Sequence, residues 1–287
     1  MSFKQILVPL SGSEQDEATL ATAFTIAASS NAHVSGLFVR PDARMVTPII
    51  GFSLFPDVIS EISKSAKQVA DEATRTARRR FTNAAIKAKV EILDRPKQMN
   101  TVSASFHEDE GFTFERVSQA AKFADLVVFG PFGSEDDYQT SATFADVLLT
   151  AKRPVLISPK AMGASPGRVM IGWDGGHATA RAVCAAIPLL VRATEIEIVT
   201  VGHASPEDSG FAALIDYLSL SDLAARKIEI EKGGHLIGER LLEAAQKGKA
   251  DLLVMGGYGH SPLRESIFGG TTAFAIADSS VPIFLAH

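Results

Sequence analysis

Asp251-Leu252-Leu253-Val254-Met255-Gly256-Gly257-Tyr258-Gly259, followed nine residues later by Gly269-Gly270-Thr271-Thr272, carries most of what this chain says about its fold. The apolar run reads as a strand buried on both faces, and the glycines at its end permit a sharp turn towards a helix. An earlier stretch says nearly the same: Asp125-Leu126-Val127-Val128-Phe129-Gly130-Pro131-Phe132-Gly133. Nine residues beyond Gly133 stand Thr143-Phe144, where the later copy has Gly269-Gly270. The chain repeats itself, and only its second copy keeps the glycines a phosphate would need.

Working outward, each half opens with a short apolar strand, Gln5–Leu10 and Arg168–Trp173, followed by small turn residues (Ser11-Gly12-Ser13, Asp174-Gly175-Gly176). Alanine-rich amphipathic helices come next, at about Asp16–Ser29 and His177–Val191. Second strands are expected at His33–Val39 and Glu195–Val201, and third strands at Val90–Leu93 and Lys227–Glu231. Helices Phe114–Phe123 and Gly238–Gly248 lead into fourth strands Leu126–Phe129 and Leu252–Met255. Each half closes with a helix and a strand preceded by proline, Val155–Ser158 after Pro154 and Ile283–Ala286 after Pro282. Apolar strands that alternate with helices indicate parallel sheets covered on both faces. The expected domains are 1–160 and 167–287, joined by the linker Pro159–Gly167. The first is longer because Pro41–Lys89 inserts an apolar segment, Val46–Phe55, and a charged helix, about Asp57–Lys89. That insertion reads as a packing or interface arm, with a lid over a ligand as the alternative.

Composition sets the outer limits. A chain of 287 residues suits two domains, 46% hydrophobic residues suffice for ordinary cores, and a net charge of −5 argues against nonspecific nucleic-acid binding. The densest basic run, Arg75, Arg78, Arg79 and Arg80, follows Asp71 and Glu72 and reads as a solvated helix face. Cys184 is the single cysteine, which excludes an internal disulfide. Its Ala/Val/Ile-rich surroundings predict a buried structural thiol. Met1-Ser2-Phe3-Lys4 leads straight into a strand without an apolar leader, and no apolar run approaches the roughly 18 residues of a membrane span. The expectation is a cytoplasmic protein with no membrane or nucleic-acid partner.

In an open parallel sheet, ligands settle beyond the carboxyl ends of the strands, where the strand order reverses. Gly256, Gly257 and Gly259 would let a phosphate approach main-chain N–H groups there, and Gly269-Gly270-Thr271-Thr272 would present a helix start with its free donors. The blander reading is a pair of tight strand–helix turns. Neither a dinucleotide fingerprint nor a P-loop is present.

These residues resemble the universal stress protein family, in its tandem form with two family domains in one chain. Its Gly-x2-Gly-x9-Gly-Ser/Thr nucleotide pattern is met by Gly256, Gly259 and Gly269. Asp174 matches the acidic residue after the first strand, Val201 the position whose backbone approaches an adenine, and Met255 the residue closing the fourth strand. The resemblance implies a Rossmann-like α/β fold of two tandem domains, each a five-stranded parallel sheet of order 3-2-1-4-5 flanked by helices on both faces. It also implies ATP or AMP in the second domain, and pairing of domains through their last strands. Gly270 departs from the pattern by replacing the hydroxyl, with Thr271 one place later. In the first half Ser11, Pro131, Thr143 and Phe144 replace the aspartate and the loop residues. Pro131 lacks an N–H and Phe144 would crowd a phosphate, so that site reads as lost.

Other candidates are less specific. His260 and Arg264 fall inside the nine-residue span and could meet phosphates, or cap a turn and pair with Glu265. His203 and His235 lie near strand ends. His107-Glu108-Asp109-Glu110 reads as an acidic solvated loop rather than a metal site. Asp174 could hold Mg²⁺ through an ATP phosphate or cap the following helix. The expected function is a nucleotide-binding stress-response regulator rather than an efficient catalyst. A slow ATPase or a phosphoryl or nucleotidyl transferase, and a scaffold that binds no nucleotide, are the alternatives. Homodimerisation is a further possibility the resemblance raises.

Overall fold

Among the described residues one sheet of eleven strands, in the order β3-β4-β2-β1-β5-β6-β11-β10-β7-β8-β9, joins both halves. The computed structural model describes residues 2–40, 56–96, 100–132, 138–163, 165–202, 210–257 and 279–287. In the first half these form β1 (Gln5–Leu10), α1 (Gln15–Ser30), β2 (His33–Arg40), α2 (Pro56–Ala88), β3 (Glu91–Ile92) and β4 (Ser103–Glu110), then α3 (Thr113–Ala121), β5 (Leu126–Phe129), α4 (Tyr138–Leu149) and β6 (Val155–Ile157). The second half supplies β7 (Arg168–Gly172), α5 (His177–Leu190), β8 (Glu195–Val201), α6 (Phe211–Ser219), β9 (Ala225–Ile230), α7 (Ile237–Lys247), β10 (Leu252–Gly256) and β11 (Ile283–Ala286).

The expectation of a five-stranded sheet in each half is corrected by the seam between the last strands, which joins the halves into one sheet. β6 and β11 pair antiparallel, with Ile157 opposite Ile283, Leu156 opposite Phe284 and Val155 opposite Leu285. Every other pairing is parallel. Each half would otherwise end in an apolar strand with unpaired N–H and C=O groups, and joining the two edges satisfies both. The local order β9-β8-β7-β10-β11 is a 3-2-1-4-5 arrangement within the larger sheet.

Helices cover both faces, as the apolar strands require. Leu20, Phe24, Phe81, Val183, Ile187 and Leu214 bring α1, α2, α5 and α6 onto one face, around Ile6, Val8, Ile171 and Val254. Val117, Phe144, Leu148, Leu241 and Leu242 bring α3, α4 and α7 onto the other, around Leu7, Val127, Leu253 and Leu285. Alternation along each strand produces this division.

The inserted helix α2 is docked on the sheet. Phe81 is fully buried, and its ring fills the space that a Cβ on Gly36 of β2 would need, at 2.5 Å. Ion pairs fasten its charged side: Arg40 to Asp71 at 2.5 Å, Arg78 to Glu108 at 2.7 Å and Arg80 to Glu17 at 2.7 Å. The apolar segment Val46–Phe55 lies outside the described residues.

Four local expectations change. The strand beside β2 is β4, while Glu91–Ile92 forms a two-residue edge strand outside it. His107–Glu110 is therefore the end of a strand, not a loop, and successive side chains point to opposite faces. Cys184 is exposed rather than buried, because the buried positions of α5 fall at Ala178, Thr179, Ala182, Val183, Ala186 and Ile187. Phe144 does not crowd a ligand: it is fully buried against Phe129 and Phe132, with ring centroids 6.1 and 5.2 Å apart.

Candidate functional site

The order of strands reverses between β7 and β10 in the second half and between β1 and β5 in the first. Crevices beyond the carboxyl ends of these strands are where an open α/β sheet places ligands. The two crevices are built differently.

In the second half, β7 ends at Gly172 and the buried Trp173, and Asp174 begins the turn into α5. Asp174 Oδ1 accepts hydrogen bonds from the Gly176 N–H at 2.8 Å and from the Thr179 hydroxyl at 2.6 Å. The first of these closes an Asx-turn, which sets the chain's direction into the helix. On the neighbouring strand, a Cβ at Gly256 would lie 2.7 Å from both the backbone nitrogen and the hydroxyl of Thr179. The absent side chain of Gly256 is thus used by the first turn of α5. Thr179 joins Asp174 to the end of β10, and nothing in the repeat pattern singled it out.

Gly257 has a packing role as well. Its N–H donates to the Ala286 carbonyl at 2.9 Å, and a Cβ there would lie 2.7 Å from Leu148 Cδ2 of the first half. Val201 is half-buried at the end of β8, and Met255 is buried beneath the crevice. The structure therefore gathers Asp174 and Gly256 around Thr179. Gly259, His260, Gly269, Gly270 and Thr271 lie outside the described residues, as do Arg264 and His203. His235 is on the surface, 3.1 Å from Glu239.

In the first half the carboxylate and hydroxyl have changed places. Asp16 sits in the helix and Ser11 in the loop. Asp16 Oδ1 accepts from the Ser11 N–H and hydroxyl, both at 3.0 Å, and Oδ2 accepts from the Gly12 N–H at 2.8 Å. The Ser13 N–H donates to Ser11 Oγ at 3.1 Å. Burial pushes the Asp16 carboxyl above its ordinary pKa, with the Ser11 and Gly12 N–H groups pulling the other way. The donors that would meet a phosphate here already serve an internal anion.

Two histidines mark a different cluster, on β2 and β4. Buried His33 lies 2.9 Å from Ser103 Oγ through Nδ1 and 2.8 Å from Ser105 Oγ through Nε2, and His107 Nε2 lies 2.8 Å from the same Ser105 oxygen. Burial, and then the neighbouring His107, lower the pKa of His33 to about 4. Ser105 is fully buried, so this cluster joins two strands and presents no accessible nucleophile. Among the described residues no three His, Cys, Asp or Glu side chains group as metal ligands, and no helix is long and apolar enough to cross a membrane.

Comparison with known proteins places this architecture. Residues 166–287 match the model of the universal stress protein family. Universal stress protein Slr1230 from Synechocystis sp. is 24% identical over 194 residues, spanning 65% of this chain and 66% of that protein, just under two thirds of its length. Among solved structures, the chain is similar in fold to a universal stress protein from Archaeoglobus fulgidus, with a TM-score of 0.68 and 17% identity over 98% of this chain and 94% of that one. It is also similar, with a TM-score of 0.50 and 12% identity, to the cytoplasmic domain of a prokaryotic cation chloride cotransporter, over 99% of this chain and 95% of that one. One architecture thus carries differently named proteins, and function has to be argued from the crevices. Residues 166–287 thus match the universal stress protein family, and nearly the whole chain is similar in fold to one of its proteins.

Proposed function

We propose that the protein is a stress-response regulator that binds one adenine nucleotide, ATP or AMP, in its second half, and is not an efficient catalyst. The observation that carries this reading is the difference between the two switch-point crevices. In the second half Asp174 stands on the loop, and the sequence continues into Gly259 and Gly269-Gly270-Thr271. In the first half the loop N–H groups of Ser11 and Gly12 are taken by Asp16.

Phosphates would be held by main-chain donors around Gly259, Gly269, Gly270 and Thr271, with His260 beside them. Val201 would meet the adenine, over a floor that includes Met255. Gly256 admits the start of α5 and would also let a phosphate come close to the end of β10. Asp174 Oδ1 is committed to the turn and to Thr179, so a Mg²⁺ ion would reach the protein mainly through the phosphates of ATP. Phosphoryl transfer needs a positioned nucleophile and charge-neutralising groups. The described crevice offers Asp174 and Thr179, already bonded to each other, so hydrolysis is expected to fall far below the roughly 10 s⁻¹ of a typical enzyme. The reading extends to a cytoplasmic protein of two domains, 1–160 and 167–287.

Native mass spectrometry of freshly purified protein tests it. One adenine nucleotide per chain is the expected result. Protein that emerges empty and takes up no ATP, ADP or AMP at millimolar concentration would favour a scaffold instead.

A further inference from the structure

A cleft of about 1240 Å³ opens at the switch point of the first half, where the phosphate pattern is missing. Its floor is formed by the carboxyl ends of β1, β2 and β5, at Leu10, Phe38, Val39 and Phe129, and the inserted helix α2 forms one wall. That wall presents Val69, Ala70 and Ala73 beside Lys67, and Val69 is 71% exposed. A volume of this order is at or above the few hundred to roughly 1,000 Å³ that small-molecule sites enclose.

The polar groups around it discriminate against anions. The Ser11 and Gly12 N–H groups donate to Asp16, and the Ser13 N–H donates to Ser11 Oγ. The hydroxyls of Thr19 and Thr143, both lining residues, donate back to the Gln15 and Gln139 carbonyls of their own helices at 3.0 and 2.7 Å. Arg40 is paired with Asp71. Glu14, Asp16 and Glu110 border the same space, with Lys67 on the α2 wall. An anion entering here would find the Ser11 and Gly12 N–H groups occupied and three carboxyl groups against the single lysine, Lys67, whereas an apolar body would find Val69, Ala70 and Ala73.

We infer that this cleft is a second ligand site, for a small apolar molecule carrying no phosphate, sulfate or carboxylate. In this site the insertion supplies α2 as a recognition surface, and the Asp16 carboxyl occupies the loop N–H groups that a phosphate would need. The site is separate from the nucleotide crevice of the second half and does not depend on it.

Two fluorescent probes with one aromatic framework test the inference on the full chain. N-phenyl-1-naphthylamine is neutral, and 8-anilino-1-naphthalenesulfonate carries a sulfonate on the same rings. The neutral probe should bind once per chain, at least tenfold more tightly than the sulfonate, and saturating ATP should leave its affinity within twofold. Ala70→Phe, which projects a ring into the cleft, should weaken the neutral probe at least tenfold while circular dichroism stays unchanged. Should that variant fail to fold, Val69→Asp alters an exposed position of the same wall and should weaken the probe at least fivefold. Absence of saturable binding, equal affinity for the two probes, or affinity unmoved by the folded wall variant would overturn the inference. Displacement of the neutral probe by ATP in one-to-one competition would also overturn it, by placing the probe in the nucleotide crevice.

Discussion

Asp16 Oδ1 accepts hydrogen bonds from both the backbone N–H and the hydroxyl of Ser11, each at 3.0 Å. The second half makes the corresponding contact in reverse, with the carboxylate of Asp174 on the loop and the hydroxyl of Thr179 on the helix, 2.6 Å apart. Both arrangements tie a strand end to the helix that follows. They leave opposite chemistry facing the crevice.

Asp16→Ala should lower the stability of the protein by about 1–3 kcal/mol, because the Ser11 and Gly12 N–H groups lose their acceptor in a part-buried loop. Chemical denaturation measures this. Unchanged stability would mean that water satisfies those donors and that the internal anion is dispensable.

Gly256→Val should destabilise the fold by about 1–3 kcal/mol whether or not nucleotide is present. Its Cβ would lie 2.7 Å from the backbone nitrogen of Thr179, which has no flexible end to move aside. Thermal unfolding of the ligand-free protein checks this, and a variant as stable as the parent would return Gly256 to a purely ligand-facing role.

The pH dependence of stability follows from His33. Its pKa is lowered in the folded protein to about 4, from an ordinary value of 6.5. The unfolded chain therefore takes up the proton first as pH falls. The stabilisation from a neutral buried His33 is complete above pH 6.5 and is lost progressively down to about pH 4. The loss has a limiting slope of about 1.4 kcal/mol per pH unit. His33→Gln should flatten the profile between pH 6.5 and 4 relative to the parent. Parallel profiles would show that His33 is not the group responsible.

Cys184 should react with a thiol reagent in the native state, once per chain. It is exposed, and Tyr217 shares a hydrogen bond with it that pushes the phenol pKa up to about 12. Tyr217→Phe should change the rate of that reaction without unfolding the protein. A thiol that reacts only in denaturant would contradict the exposed placement.

Much of this architecture was legible in the chain, because strands such as Leu126–Phe129 and Leu252–Met255 are uninterrupted apolar runs that only a doubly covered sheet explains. β4 escaped for the opposite reason. Its sequence, Ser103–Glu110, has three buried residues followed by a charged end that is largely exposed, so neither an apolar run nor clean alternation is visible. The exposure of Cys184 was hidden by small residues all round α5, which blur the helical period that would have turned it outward. The expectation for Phe144 rested on repeat alignment, which gives a residue's position along the chain but not the face it takes on α4. The candidate site was read from a spacing of glycines, of which Gly259, Gly269 and Gly270 lie outside the described residues. What spacing could not reveal is that Gly256 and Gly257 have packing partners of their own, Thr179 and Leu148. Nor could it reveal that the first half keeps a cleft of a different character.

Calorimetric titration of ATP into the intact chain, repeated with Gly269→Val and with Thr143→Val, tests the central claim most directly. The account predicts one site per chain in the parent. A branched side chain at position 269 should weaken it by ten- to several-hundredfold, through the loss of one or two charge-assisted hydrogen bonds of about 1.5–3 kcal/mol each. Thr143→Val, at the matching position of the first half, should leave ATP affinity within about twofold. Two equivalent sites per chain, or a folded Gly269→Val that binds ATP as the parent does, would contradict it.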